Sequence, residues 1–309
     1  MAPEVSVCVP TYNGARYLRE ALDSVLCQDF RDFELLVIDD ASRDDTAAIL
    51  AEYARRDSRV RWRANERNVG LVGNFNACLR EARGRYVKYL LQDDFWLSEQ
   101  ALGRYVDAVA SNEGVTLAAS ARRVVDADSR GDAVVRGWER DRVADGTAVL
   151  RECLLARRNL VGEPSAVIFP REKAGDGFDA SYPLLTDLEM WFRLLRQGRF
   201  AYIAEPLAAF RVHAAQETQV LKGKLAHLDD MPRLVLAYAG EGGAGLGPID
   251  RTHLLHRCCY AMLRLVRRRQ VSLGFAARQI RRHFSLPVFA LLIPIFRVRT
   301  WALRARGRR

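Results

Sequence analysis

The chain has 309 residues, enough for one large domain with an appendage, and its 49% hydrophobic and 28% charged content is that of a globular protein with a full core. A disordered chain, a collagen-like fibre and a small disulfide scaffold are excluded. The net charge of +10 is unevenly placed: residues 251–309 hold fifteen arginines and no Lys, Asp or Glu, leaving −5 on the first 250 residues.

In chain order, Val5–Val9 is a short β-branched run that predicts a strand, and Ala15–Gln28 carries apolar residues at helical spacing. Leu35–Ile38 predicts a second strand. Asp45–Arg55 predicts a helix whose start suits the acids Asp44 and Asp45. Val60–Trp62 then reads as strand and Leu71–Ala82 as helix. Tyr86–Leu91 follows as strand, Ser98–Ala110 as a helix with Ser98 at its N-cap, and Val115–Ala119 as strand. Arg122–Asp145 is polar and reads as irregular. Thr147–Ala156 is helical, Ser165–Phe169 a strand, and Asp187–Gln197 a strong helix. Two short strands, Phe200–Ile203 and Ala208–Val212, flank Pro206, and the period is helical after Gln216. This alternation predicts βαβ units and a mostly parallel α/β sheet flanked by helices. In such sheets ligands bind outside the carboxyl ends of the strands.

Polar residues cluster at those ends. The first strand runs into Pro10-Thr11-Tyr12-Asn13-Gly14, where the Tyr12 ring could stack on a base. The second ends in Asp39-Asp40, two adjacent carboxylates that repel unless something binds them. The strand from Tyr86 ends in Gln92-Asp93-Asp94. Two acidic pairs at one sheet edge can hold a hard divalent cation, which would in turn hold a diphosphate.

With these motifs the chain resembles glycosyltransferase family 2, the inverting nucleotide-sugar transferases of GT-A-type fold. The resemblance rests on Pro10–Asn13, Ile38-Asp39-Asp40-Ala41-Ser42, Asn68-Val69-Gly70, Gln92-Asp93-Asp94 and Thr186–Trp191, in register over about residues 4–215. It implies that Tyr12 and Asp40 contact the nucleotide base, with Pro10, Asp39 and Asn68 beside the donor. It also implies that Asp93 meets the ribose or sugar and that Asp94 binds Mn²⁺ or Mg²⁺. Gln92 departs from the pattern, standing where an acid is usual. Asp187, four residues before Trp191, is the implied catalytic base, with Glu189 in reserve. An inverting displacement needs such a carboxylate to take the acceptor hydroxyl's proton. Phe210-Arg211-Val212-His213 resembles the family's Arg-x-His, so His213 is a further metal or diphosphate ligand and Arg211 either a phosphate partner beside the donor or the partner of an Asp or Glu. Glu163-Pro164-Ser165 is placed near the acceptor.

Residues 1–215 are therefore expected to form the transferase domain and 216–309 a basic helical appendage. The apolar run Leu286–Phe296 is too short to span a bilayer, is interrupted by Pro287 and Pro294, and lies among arginines. That suits an interfacial segment on anionic lipid, with Trp301 at headgroup level, or a helix packed on the body. Nucleic acid is not an expected partner, since no nucleic-acid-binding motif accompanies the charge. Six cysteines without C-x-x-C spacing read as reduced thiols. Met1–Glu4 leads into a strand without a basic leader, so a cytoplasmic body, peripheral on the membrane's inner face, is expected. Two rival functions are a GT-A-like sugar nucleotidyltransferase and a non-catalytic sugar-nucleotide-binding scaffold. The first would show a Gly-rich basic loop after the first strand; the second would have lost its acids.

Overall fold

The computed structural model describes residues 2–213, 216 and 226–306, with side chains for all of these but 226–227 and 297–306. Ten strands form one sheet: β1 (Val5–Thr11), β2 (Phe33–Asp39), β3 (Val60–Ala64), β4 (Tyr86–Tyr89), β5 (Phe95–Trp96), β6 (Val115–Val125), β7 (Ala133–Val135), β8 (Arg142–Asp145), β9 (Val167–Pro170) and β10 (Arg199–Arg211). The main order is β3-β2-β1-β4-β9-β6-β10-β5. β3, β2, β1 and β4 run parallel. β9 enters antiparallel between β4 and β6, and β10 is again parallel to β6. The expected mostly parallel α/β sheet is what forms.

The helices are α1 (Ala15–Leu26), α2 (Thr46–Arg56), α3 (Gly70–Glu81), α4 (Ala101–Ala110), α5 (Gly146–Ala156), α6 (Thr186–Leu195), α7 (Asp230–Tyr238), α8 (Pro248–Arg267), α9 (Leu273–Arg281) and α10 (Leu286–Arg306). Strand side chains alternate between faces. Val7, Val9, Leu35 and Val37 pack under α1, α2 and α4, while Cys8, Leu36 and Ile38 face the core shared with α3, α5 and α6. That second core continues past residue 215. Leu234, Val235 and Tyr238 of α7 and Leu254, Leu255 and Cys258 of α8 share it with Trp191 and Phe192. Separate small cores begin only at Cys259 and Met262.

Several local expectations change. The two strands around Pro206 are one strand, β10, whose register with β6 slips between Ile203 and Ala208. The slip takes up a proline that cannot donate to the ladder. The irregular stretch after Arg122 contains the rest of β6 and the two short strands β7 and β8. Ser98 does not cap α4, whose N-cap is Gln100. Pro294 does not interrupt the C-terminal segment: α10 runs through it. One face of α10 packs inward, with Phe289 against His256 and Phe296 against His253 at ring separations of 4.5 and 4.7 Å. Val288, Leu291 and Ile295 are exposed. The arginines from 297 onward and Trp301 lie outside the described side chains. No helix among the described residues is long and apolar enough to cross a membrane.

Candidate active site

One cleft of about 380 Å³ opens where the carboxyl ends of β1 and β4 meet the start of α6. Pro10 and Tyr12 line it, with the Tyr12 ring exposed. Gln92 braces this turn. Its Oε1 accepts from the Thr11 hydroxyl (2.5 Å) and the Tyr12 N–H (2.7 Å), and its Nε2 donates to the Tyr12 carbonyl (3.1 Å). A carboxylate could not make that last bond, which gives the Gln92 departure a physical reason. Glycine is needed at 14, because a Cβ there would stand 2.5 Å from both Thr11 Oγ1 and Gln92 Oε1.

Each acidic pair divides its labour, one member lining the cleft and the other not. Asp40 lines the cleft. It accepts from the N–H groups of Val69 and Gly70 (both 2.9 Å) and from Asn65 Nδ2 (2.7 Å), closing the N-terminus of α3. Asn68 also lines the cleft and donates to the Asp40 carbonyl (3.2 Å). Asp39 is buried away from the cleft and holds the Ser42 hydroxyl and N–H. Burial raises its carboxyl above the ordinary range, against the lowering effect of those bonds. Expected beside the donor, Asp39 does not line the cleft and holds the turn after β2.

In the second pair it is Asp94, the expected metal ligand, that does not line the cleft. Asp94 is buried, with Oδ2 against the Ser165 hydroxyl (2.5 Å) and Oδ1 accepting from the Arg211 N–H (2.9 Å). Burial, reinforced by the charge of Asp93, pushes its carboxyl well up towards the neutral form. Asp93 is the carboxylate that lines the cleft, with Oδ2 2.9 Å from His213 Nε2. Of the two places expected for Arg211, beside a phosphate or against an acid, it takes the second. It is 1% exposed, its guanidinium bonds Glu20 (2.5 Å) and Ser129 (2.9 Å), and its Nε donates to the Asp93 carbonyl (2.7 Å). It fixes the backbone behind Asp93. Lys88, which no motif singled out, is buried beneath, donating to the Ser165 and Tyr89 carbonyls; burial pushes its amine well down.

At the other end, Asp187 lines the cleft from the first turn of α6. Its Oδ1 accepts from the Leu188 N–H (2.7 Å) and its Oδ2 from Asn159 Nδ2 (3.0 Å). Enclosure by protein pushes its carboxyl up to about 7; the charge of Glu163 adds to this and the two hydrogen bonds oppose it. Trp191 Nε1 donates to the Gly162 carbonyl (3.0 Å), which Asn159 also holds (2.9 Å). Asn159 is a site residue that sequence reasoning missed; the sole signal was an Asn three residues before a Gly, a turn pattern. Glu163 and Pro164 line the cleft as expected, Glu163 ion-paired to Arg122. Glu189 is no reserve base: it is buried and bonds Arg193 (3.0 Å) and Tyr238 (2.6 Å).

Among the described residues the charged lining is Asp40, Asp93, Glu163 and Asp187 with His213, and no Lys or Arg. No group of three or more His, Cys, Asp and Glu among them would hold a metal ion by itself.

The family model described as glycosyl transferase family 2 matches residues 6–151. An uncharacterized protein of Mycobacterium tuberculosis is 34% identical over 244 residues, covering 75% of each chain. Two solved structures share the fold at 19% identity. S. aureus TarS, in complex with UDP-GlcNAc, aligns with a TM-score of 0.65 over 82% of this chain and 71% of that one. The mannosyltransferase PcManGT of Pyrobaculum calidifontis, in complex with GDP-Man and Mn²⁺, aligns with a TM-score of 0.58 over 97% and 83%.

Proposed function

This chain belongs to glycosyltransferase family 2 and is a glycosyltransferase, and from that premise we propose that it is an inverting, cation-assisted enzyme moving a sugar from a nucleoside-diphosphate donor to a hydroxyl acceptor. The observation that carries the reading is that Asp187, Asp93 and His213 line one cleft that no Lys or Arg lines among the described residues. A departing diphosphate needs counter-charge, and the cleft's own charges have the wrong sign. A carboxylate oxygen and an imidazole nitrogen fit Mn²⁺ or Mg²⁺ when donor phosphate oxygens complete the set. Asp93 and His213 would hold the cation, which supplies charge neutralisation on the leaving group.

Asp187 takes the proton of the acceptor hydroxyl as that oxygen attacks the anomeric carbon. A carboxyl near 7 is partly ionised at neutral pH and a better base than an ordinary one. At the donor end, Tyr12 offers a stacking face, with Pro10 and Asn68 beside it. Asp40 keeps acceptor capacity for a base N–H beyond its three bonds. UDP-GlcNAc bound to TarS and GDP-Man bound to PcManGT support donors of this chemical class.

The acceptor we propose is a lipid-linked or envelope glycan reached at the inner face of an anionic membrane. Val288, Leu291 and Ile295 of α10 are exposed, as are Arg278 and Arg281 at the end of α9, and no acid occurs after residue 250. Apolar residues among arginines suit an interface in which each Arg contributes about 1 kcal/mol. We place the appendage proper after Cys258, where the shared core ends.

The test is a panel of UDP- and GDP-sugars with Mn²⁺, read as released nucleoside diphosphate. Release from at least one donor, abolished by EDTA and by Asp187→Asn, is expected. No release from any donor, or release indifferent to EDTA, would sink the reading.

A further inference from the structure

The segment that carries Asp187 is gripped by a helix from beyond the family-matched region. Asp230, the first residue of α7, is 1% exposed, and its Oδ2 accepts from the N–H groups of Leu184 (2.9 Å) and Leu185 (3.1 Å). Leu184 lines the cleft, and Leu185 is the N-cap of α6 with no side-chain cap of its own. One turn on, the Arg233 guanidinium bonds the Ser181 carbonyl and hydroxyl and lies 4.2 Å over the Tyr182 ring. At the far end of α7, Tyr238 reaches Glu189 (2.6 Å). Thus α7 holds residues 181–189 at both flanks of Asp187, while among the described residues Asp187 itself bonds Asn159 and its own helix.

A carboxylate taking two successive N–H groups fixes the peptide planes from which α6 departs. The direction of the first α6 turn, and hence where the Asp187 carboxylate sits in the cleft, follows from that fixation. Among the described residues nothing comparable joins α7 to the donor end, where Tyr12, Asp40 and Asp93 are held by Gln92, the α3 amides and Arg211. Asp229, next in the chain, is bonded by Arg282 (3.0 Å) and His283 (2.9 Å), so the α7 start is also anchored to the end of α9.

We propose that Asp230 is a positioning residue for the reaction: through the Leu184 and Leu185 amides it sets the reach of the base Asp187, making turnover, and not donor binding, depend on the C-terminal helices. The inference rests on the reading of Asp187 as the base. A misplacement of about 1 Å at a reacting group can cost about 100-fold.

The experiment uses the full chain, Mn²⁺ and the donor selected from the UDP- and GDP-sugar panel, with hydrolysis followed as released nucleoside diphosphate. Asp230→Ala leaves both amides without their acceptor and should lower kcat by about 10- to 100-fold, with donor KM within about twofold of wild type. Asp230→Asn keeps an oxygen acceptor and the shape, and should lower kcat by only about two- to fivefold. It is also the variant that reports if Asp230→Ala does not fold, because loss of the charged acceptor should still lower kcat at unchanged KM. A wild-type kcat in either folded variant, or a raised KM at unchanged kcat, overturns the positioning role. Asp187→Asn run alongside separates the two readings. If it retains turnover, the base assignment has failed; if it loses turnover while the Asp230 variants do not, only the positioning role has.

Discussion

The two ends of the cleft are built in different ways. At the donor end, strand termini are locked by hydrogen bonds that the motifs themselves supply: Gln92 to Tyr12, Asp39 to Ser42, Asp40 to the α3 amides. At the base end, the Asp187 segment is held from outside, by Asn159 on one side and by α7 on the other. The first end is held by residues that belong to the motifs; the second depends on Asn159 and Asp230, which belong to none. Damage at the first should therefore appear in donor binding, and damage at the second in turnover.

The largest expected effect is at the base end. Asp187→Asn should lower turnover by about 10²- to 10⁴-fold, the usual worth of general base catalysis, with donor affinity kept within about twofold. The same variant should be more stable than wild type at neutral pH. The folded-state carboxyl titrates at about 7 against an ordinary 3.8, so the folded protein holds this proton more tightly than the unfolded one. Wild type thus loses stability relative to the variant as pH rises from about 4 to about 7. Melting curves across that window check the sign.

At the donor end, Asp93→Ala should weaken Mn²⁺-dependent donor binding by about tenfold or more. Asp94→Ala tests the division of the pair. It removes a buried acceptor from Ser165 and Arg211 and should appear first as a lower melting temperature. Titration calorimetry with Mn²⁺ and donor on folded protein distinguishes them. A larger binding loss from Asp94→Ala than from Asp93→Ala would reverse the assignment.

Smaller effects belong to the tail. Phe289→Ala removes a ring stacked on His256 and should destabilise by about 3 kcal/mol. Leu291→Gln, on the exposed face, should leave stability within about 0.5 kcal/mol and reduce pelleting with anionic vesicles a few-fold. Truncation before Ser285 should strongly reduce pelleting, and the truncated protein that remains folded should keep donor hydrolysis, since every proposed site residue precedes the cut. Equal pelleting of full-length and truncated protein would remove the membrane from the account.

Most of the fold was legible because periodicity reports burial directly, and the strand-helix alternation through Ala119 survived with shifts of a few residues. β10 was split in two because a proline normally ends a strand, and only pairing with β6 shows the slip that accommodates it. At the site, composition placed both acidic pairs at the sheet edge. Which member of each pair faces the cleft is set by the orientation of one peptide against a partner strand, and single-sequence patterns do not carry that. The sequence left Arg211 open between a phosphate and an acid, because its partners Glu20 and Ser129 lie 191 and 82 residues away in sequence. Asn159 and Asp230 escaped notice because each resembles an ordinary turn or helix-start residue and gains its meaning from tertiary contact.

The most direct test of the account is the pH dependence of kcat/KM for donor hydrolysis between about pH 5 and 9 in wild type and Asp187→Asn. Wild type should show a limb rising with pH to a plateau with an apparent pKa near 7, set by the enclosed Asp187 carboxyl beside Glu163. The variant should be slow throughout and lack that limb. A wild-type profile without a limb near 7, or the same limb persisting in the variant, would contradict the assignment of Asp187 as the base.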